Sequence, residues 1–308
     1  MMGLVLDGGI ALLTIGIAAW TIRAGDDFAA VVGFVAYGLI LTLAWTRLGA
    51  YDVALTEAAI GGGATGVILM RAGARVKPAP AARASRRARI IVGALSAAVA
   101  AGLSAIVLLP PQPAPSLALE VREHLASTGL GNPIGGVLMA YRAADTFLET
   151  VVVLLALFGV WSLGRDVHWD GRPGPALRPA EGGALPLFAR VLVPAGIVIG
   201  IYIVWVGADA PGGKFQGATL LAAMAILAGM AGLVQAPATA GRRLRWLLAA
   251  GPIVFVGIGL AGIPLAGAFL AYPPGFEKPL ILVIEVALTV SLAAMLALIV
   301  AGPPERAP

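Results

Sequence analysis

The amino-acid sequence predicts an all-α membrane protein of about nine transmembrane helices arranged 3 + 2 + 4, with the N-terminus outside and the C-terminus cytoplasmic. Three observations carry that prediction. First, hydrophobic residues make up 59% of the 308 positions and charged residues 12%, and the mean hydropathy is +0.94. The 37 charged side chains (21 Lys and Arg, 16 Asp and Glu) are half the usual share and too few to cover a soluble surface. Second, apolar runs recur at 4–22, 28–48, 53–70, 90–109, 146–163, 187–206, 215–234, 246–270 and 279–301. A run of about 20 residues rising ~1.5 Å each crosses a hydrocarbon core of about 30 Å. Third, the cations concentrate in alternate loops, as the positive-inside rule requires.

This composition excludes a soluble globular enzyme, a disordered chain and a nucleic-acid-binding module. The net charge of +5 and pI near 10 matter less here than where each cation stands. The chain has no Cys, which removes disulfides, thiolate metal sites and iron–sulfur clusters. The two histidines, His124 and His168, stand in polar stretches, so no haem, zinc or other cofactor is expected.

The first span lacks a basic leader and a small-x-small cleavage site before Asp26, so it is expected to remain in the mature protein. The loop after the third span carries Arg71, Arg75, Lys77, Arg83, Arg86, Arg87 and Arg89. Arg165, Arg172 and Arg178 follow the fifth span, and Arg242, Arg243 and Arg245 follow the seventh. With nine spans these loops share a side. Placing them in the cytoplasm puts sixteen cations inside and leaves five outside: Arg47, Arg122, Arg142, Lys214 and Lys278. Polar stretches divide the chain into a three-helix domain (1–76), a two-helix domain with an outer loop (77–165) and a four-helix domain (185–302). Pro110, Pro111, Pro113 and Pro115 prevent the outer loop from opening as a helix, and a short amphipathic helix is expected over 117–126. The seven-cation loop also suits anionic lipid headgroups.

An ionisable group at mid-membrane costs a few kcal/mol and is a functional candidate by default. Glu57 stands roughly 7 Å inside the end of the third span that opens Tyr51-Asp52. Asn132-Pro133 precedes the fifth span, where Arg142, Asp145 and Glu149 fall within roughly 60° on one helix face. Glu285 is in the last span. In the expected topology Glu57, Glu149 and Glu285 all belong to the outer half, where they form candidates for an acidic path for H⁺ or Na⁺. Plain structural readings stand beside these: an interfacial ion pair for Arg142 and Asp145, helix-to-helix bonding for Glu57 and Glu285, an N-cap for Asp52, and an outer-surface pair for Glu277 and Lys278. Asp7 is close enough to the outer end to be solvated. Gly61-Gly62-Gly63 with Gly66 reads either as close helix packing or as a bulge that admits water to Glu57. Pro211-Gly212-Gly213-Lys214 is an outer turn and lacks the spacing of a phosphate loop. No catalytic triad or metal-ligand constellation is present in the sequence.

Several of these segments resemble one family. Asp52-Val53-Ala54-Leu55-Thr56-Glu57-Ala58 is similar to the signature of a short domain at the C-terminal end of the A-type subunit of Mrp-type multisubunit Na⁺/H⁺ antiporters, which is also a small separate subunit in membrane-bound hydrogenases. Asn132-Pro133 with Tyr141-Arg142-Ala143-Ala144-Asp145-Thr146-Phe147-Leu148-Glu149 resembles the element that follows it. The last four spans resemble the B-type subunit of the same antiporters. There Pro211-Gly212-Gly213-Lys214-Phe215-Gln216-Gly217 is similar to a glycine-rich turn, and Glu285 to an acidic position on the last helix. Lys214 and Ala218 depart from glycines of that turn, and Lys214 either alters access there or packs on the surface. The resemblance implies an accessory subunit of a complex I-related assembly in a bacterial cytoplasmic (inner) membrane. Such a component joins large antiporter-like subunits and small membrane subunits and adds Glu57, Asp145, Glu149 and Glu285 to an ion path, with translocation and no chemistry of its own. A redox-driven hydrogenase- or dehydrogenase-like pump and a purely structural scaffold are the alternatives.

Overall fold

The computed structural model describes residues 2–75, 85–110, 116–174 and 183–306. Lys77, Arg83, Arg178, Pro111, Pro113 and Pro115 lie outside the described residues. Helices dominate, and eight of them are long and apolar enough to cross a bilayer. The N-terminal group is α1 (Met2–Arg23), α2 (Asp27–Arg47), α3 (Tyr51–Thr56) and α4 (Thr65–Arg75). Between α3 and α4 the helix continues as a π-helical stretch, Glu57–Ala64. Asp26 caps α2 by accepting the Ala29 N–H at 2.8 Å. Asp7 on α1 pairs with Arg47 on α2 at 2.8 Å, so the cation expected at an exposed end is tied across the hairpin.

Next come α5 (Arg86–Leu108), α6 (Ala118–His124), which passes into a 3-10 turn, α7 (Pro133–Gly136), a second π turn at Val137–Tyr141, and α8 (Ala143–Trp161). The last group is α9 (Ala184–Val206), α10 (Lys214–Met230), α11 (Arg242–Ala266) and α12 (Glu277–Ala301). Two short strands, β1 (Arg172–Pro173) and β2 (Pro304–Arg306), pair antiparallel near the C-terminus. The seventh predicted run, 215–234, is the one whose helix is shorter than expected. It ends at Met230 after 17 residues, about 25 Å, and turns through Gly232 at φ 71°.

The core lies around α12, whose Ile281, Ile284, Leu288, Leu292 and Met295 are almost wholly buried against Phe255 of α11, Leu157 and Trp161 of α8, and Ala218 of α10. Hydrophobic driving force does not join helices in lipid, so close packing and polar insertions do it. Gly251 on α11 illustrates both. An added Cβ would lie 3.0 Å from the Leu288 Cα, and Ser291 inserts its hydroxyl, accepting the Gly251 N–H at 2.8 Å and donating to the Leu247 carbonyl at 2.7 Å. α9 packs on α10, and α10 in turn meets α3 and the first π stretch, joining the N-terminal group to the core. α8 packs on α12 and α11, while α5 buries none of its residues. At one end of the bundle Arg71 donates to the Val300 and Ala301 carbonyls, Arg172 to Ala236, and Arg306 to Gly174.

Candidate functional site

The opposite end holds the turn between α9 and α10. Its geometry follows from three glycines. A Cβ on Gly207 would strike the Gly213 nitrogen at 2.5 Å, and Gly212 and Gly213 adopt φ 154° and 132°, which side chains disfavour. The chain thus folds back on the end of α9, and the Gly213 N–H donates to Ile203 O at 3.0 Å. Asn132, which caps α7 through its Oδ1, sends its Nδ2 to the Gly207 and Ala210 carbonyls, each at 3.1 Å. The first is the carbonyl of the residue that caps α9, and the second belongs to the turn. Asp52 completes the joint: its Oδ1 accepts the Gly212 N–H at 3.0 Å and Asn132 Nδ2 at 3.4 Å. Gln216 Nε2 donates to Thr56 Oγ1 at 3.0 Å. Asp52 was expected to be an N-cap, but Ala50 occupies that position and Asp52 lies inside the first turn, where its carboxylate reaches across to the glycine turn instead of back to its own helix.

Lys214 opens α10 directly after this turn, and it is only 3% exposed. Surface packing, one of its two expected readings, is thereby ruled out. The Nζ stands 4.9 Å from the Phe215 ring centre. Glu285 is 5% exposed on the core helix α12, and its Oε1 comes within 3.8 Å of a Cβ built on Gly213. Tyr272, in the connection before α12, donates its hydroxyl to Met139 O at 2.8 Å in the second π turn. Burial pushes the Tyr272 phenol well above its usual range, and the Glu285 charge adds to the effect, so the phenol stays a donor at any physiological pH. A buried lysine on α10 and a buried carboxylate on α12 therefore both lie at the glycine turn.

The other predicted residues divide. Arg142 does not share a helix face with Asp145 and Glu149. It stands before α8 with φ −130° and ψ 37°, because the π turn ends by bonding the Arg142 N–H to Val137 O and the helix restarts at Ala143. It forms an ion pair with Asp145, in which both side chains are substantially exposed. Glu149, one turn further, is exposed on α8. Glu57 is half-buried at the start of the first π stretch. Its carboxylate runs beneath Gly61 and comes within 3.3 Å of a Cβ built on Gly38 of α2. The close-packing reading of the glycine run holds here, since Gly62 packs within 3.0 Å of that same Cβ, and the Glu57 side chain lies along the wide turn at Gly61. Glu277 and Lys278 do not pair with each other. Lys278 bonds Asp209 at 2.6 Å, since the turn carries that carboxylate to the start of α12. Sequence reasoning missed Asn132 as a bridge, Gln216 and Tyr272. The Asn-Pro pair and a lysine in a glycine-rich turn were the available signals.

Fold and site define a multi-pass helical membrane protein with a buried lysine and a buried glutamate among its packed helices. Residues 12–78 match the family model MbhD of MBH, and residues 184–303 match MnhB, a domain related to the MnhB subunit of Na⁺/H⁺ antiporter. Each match covers less than half of the chain, one near its start and one near its end. Among solved structures, it is similar to a chain of the Mrp complex from Dietzia sp. DQ12-45-1b, with a TM-score of 0.75 and 25% identity, over 97% of this chain and 35% of that one. The present chain thus spans about a third of that relative. It also shares a fold, at TM-score 0.55 and 24% identity, with a chain of the membrane-bound sulfane sulfur reductase, an archaeal respiratory membrane complex, covering 69% of this chain and 96% of that one. No curated protein matches the sequence.

Proposed function

We propose that the chain is a membrane subunit of a multisubunit cation/proton antiporter complex in the bacterial cytoplasmic membrane. In this reading it links large ion-translocating subunits to small ones and contributes carboxylates to a path for H⁺ or Na⁺. The observation that carries the reading is the burial of both Lys214 and Glu285 among packed helices, in a chain whose ends match MbhD and the MnhB-related domain. Buried charges are expensive, and a cluster of both signs near a broken helix suits charge movement. Counting α10 as a ninth span, and placing the end with Arg71, Arg172 and Arg306 in the cytoplasm, puts Glu57, Glu149 and Glu285 in the outer half. Asp52 and Asn132 then act as positioning residues for the turn that presents Lys214. The three domains 1–76, 77–165 and 185–302 are the units through which neighbouring subunits attach.

The test is antiport in vesicles containing the whole complex. Glu57→Gln with Glu149→Gln is expected to impair Na⁺-dependent proton exchange at normal assembly. Wild-type rates in the double variant refute the path. A loss of assembly with normal turnover per assembled complex makes the carboxylates structural. The MbhD match and the shared fold with the sulfane sulfur reductase favour a second reading, as part of a redox-driven ion pump. Purification in mild detergent decides between them, because co-purifying cluster-binding subunits belong to the redox assembly alone.

A further inference from the structure

The Gln216 amide can stand only one way round. It lies 3.0 Å from Thr56 Oγ1 and 3.4 Å from the Asp52 carbonyl oxygen. The Thr56 hydroxyl already donates its hydrogen to that same carbonyl, at 2.9 Å, so both neighbours accept and Nε2 must point at them. Oε1 is thereby turned toward Gly213, where it lies 3.5 Å from a Cβ built on that glycine. Glu285 Oε1 approaches the same point to 3.8 Å, and among the described residues, chain neighbours aside, these two oxygens are the atoms within 4 Å of it. Glu285 is 5% exposed, and among the described residues no hydrogen-bond donor reaches its carboxylate; the Thr289 hydroxyl bonds its backbone carbonyl instead. A carboxylate so enclosed is costly without a hydrogen bond. Two oxygens that only accept cannot relieve each other, and position 213 puts no side chain at the point they share.

We propose that this point seats one water molecule, which donates one hydrogen to Glu285 Oε1 and the other to Gln216 Oε1. A buried water needs polar partners and a space of its own size, and the missing side chain of Gly213 supplies the space. The water also serves both states of the carboxyl. Against the carboxylate it donates twice. Against the protonated acid it accepts the Glu285 O–H on its oxygen and still donates to Gln216 Oε1. A fixed side-chain donor bonds the carboxylate alone, whereas the water lets Glu285 gain and lose a proton without losing its partner. That use of the site rests on the ion-path reading and deepens it, by naming what Glu285 bonds while it holds or releases a proton. Gln216 is then a positioning residue, its Oε1 aimed by the two bonds its Nε2 makes to α3.

The test is a density map of the whole complex at a resolution that shows ordered water. In the wild type a single water peak within about 2.5–3.0 Å of both Gln216 Oε1 and Glu285 Oε1 is expected. Gln216→Leu keeps the glycine, removes one acceptor and is expected to lose the peak. Gly213→Ala fills the point and is expected to lose it too; if strain at its φ of 132° prevents assembly, Gln216→Leu and the wild type decide. A wild-type map in which the two oxygens bond each other directly, or in which no peak stands between them, overturns the proposal. So does a peak unchanged in Gln216→Leu. Failure of the path reading shows up separately, as normal antiport in Glu285→Gln, and leaves the water site standing.

Discussion

Gly38 and Gly102 undergo the same chemical change on replacement by alanine, and the structure predicts opposite signs. A Cβ on Gly38 of α2 lies 3.0 Å from both the Cα and the nitrogen of Gly62. Ordinary carbon contacts are about 3.5–4.0 Å, so the overlap is about 0.5–1 Å, and it is with backbone, which cannot rotate away. Overpacking of this kind costs about 1–3 kcal/mol. Alanine regains about 0.5–1 kcal/mol of helix propensity, leaving Gly38→Ala up to about 2.5 kcal/mol less stable than wild type. Gly102 on α5 has nothing within 4 Å, so Gly102→Ala keeps only the gain. Thermal unfolding of the full chain in detergent, followed by loss of the monodisperse peak, measures both. At about 2–4 °C per kcal/mol the two variants separate by several degrees on opposite sides of wild type. The same added Cβ presses on the Glu57 carboxylate, 3.3 Å away, so Gly38→Ala is also expected to slow antiport. A Gly38→Ala protein as stable as Gly102→Ala refutes the contact between α2 and the π stretch.

Asn132→Ala strands the Gly207 and Ala210 carbonyls and removes one partner of Asp52, so a loss of about 2–4 kcal/mol is expected in the same assay. A change within error argues that water replaces the amide. Tyr272→Phe removes a single hydrogen bond to Met139 O and should cost about 1 kcal/mol, with no change in the pH dependence of stability because the phenol is already held protonated. The Lys278–Asp209 pair is partly exposed, and a double-mutant cycle should give a coupling within about 1 kcal/mol that falls with added salt. A coupling several times larger, or one indifferent to salt, contradicts the exposure. Gly61→Ala puts a methyl group onto the Glu57 Oε1, and it is expected to displace that carboxylate and to impair antiport more than stability.

Much of this protein is legible in the sequence, since transfer into lipid is additive along the chain and every run of about 20 apolar residues signals its own span. Eight of the nine predicted runs appear as helices of spanning length. The polar exceptions inside those runs, Glu57, Glu149 and Glu285, are equally visible, because each departs from its neighbours. What tertiary structure decided is the environment of each exception. Lys214 reads as a loop cation until the packed helices bury it, because a residue's burial depends on helices remote in sequence. Asp52 has the composition of a cap, but the turn at Gly212 offers its carboxylate a better donor. The first π stretch arises where close packing against α2 and the need to seat Glu57 compete with the regular α-helical ladder, a contest between elements that no local pattern records. The sequence by itself determined the solvent, the spans and the short roster of charges that belong inside them. Only packing decided which of those charges face one another, because the low-dielectric interior enforces pairing on whatever groups the helices carry together.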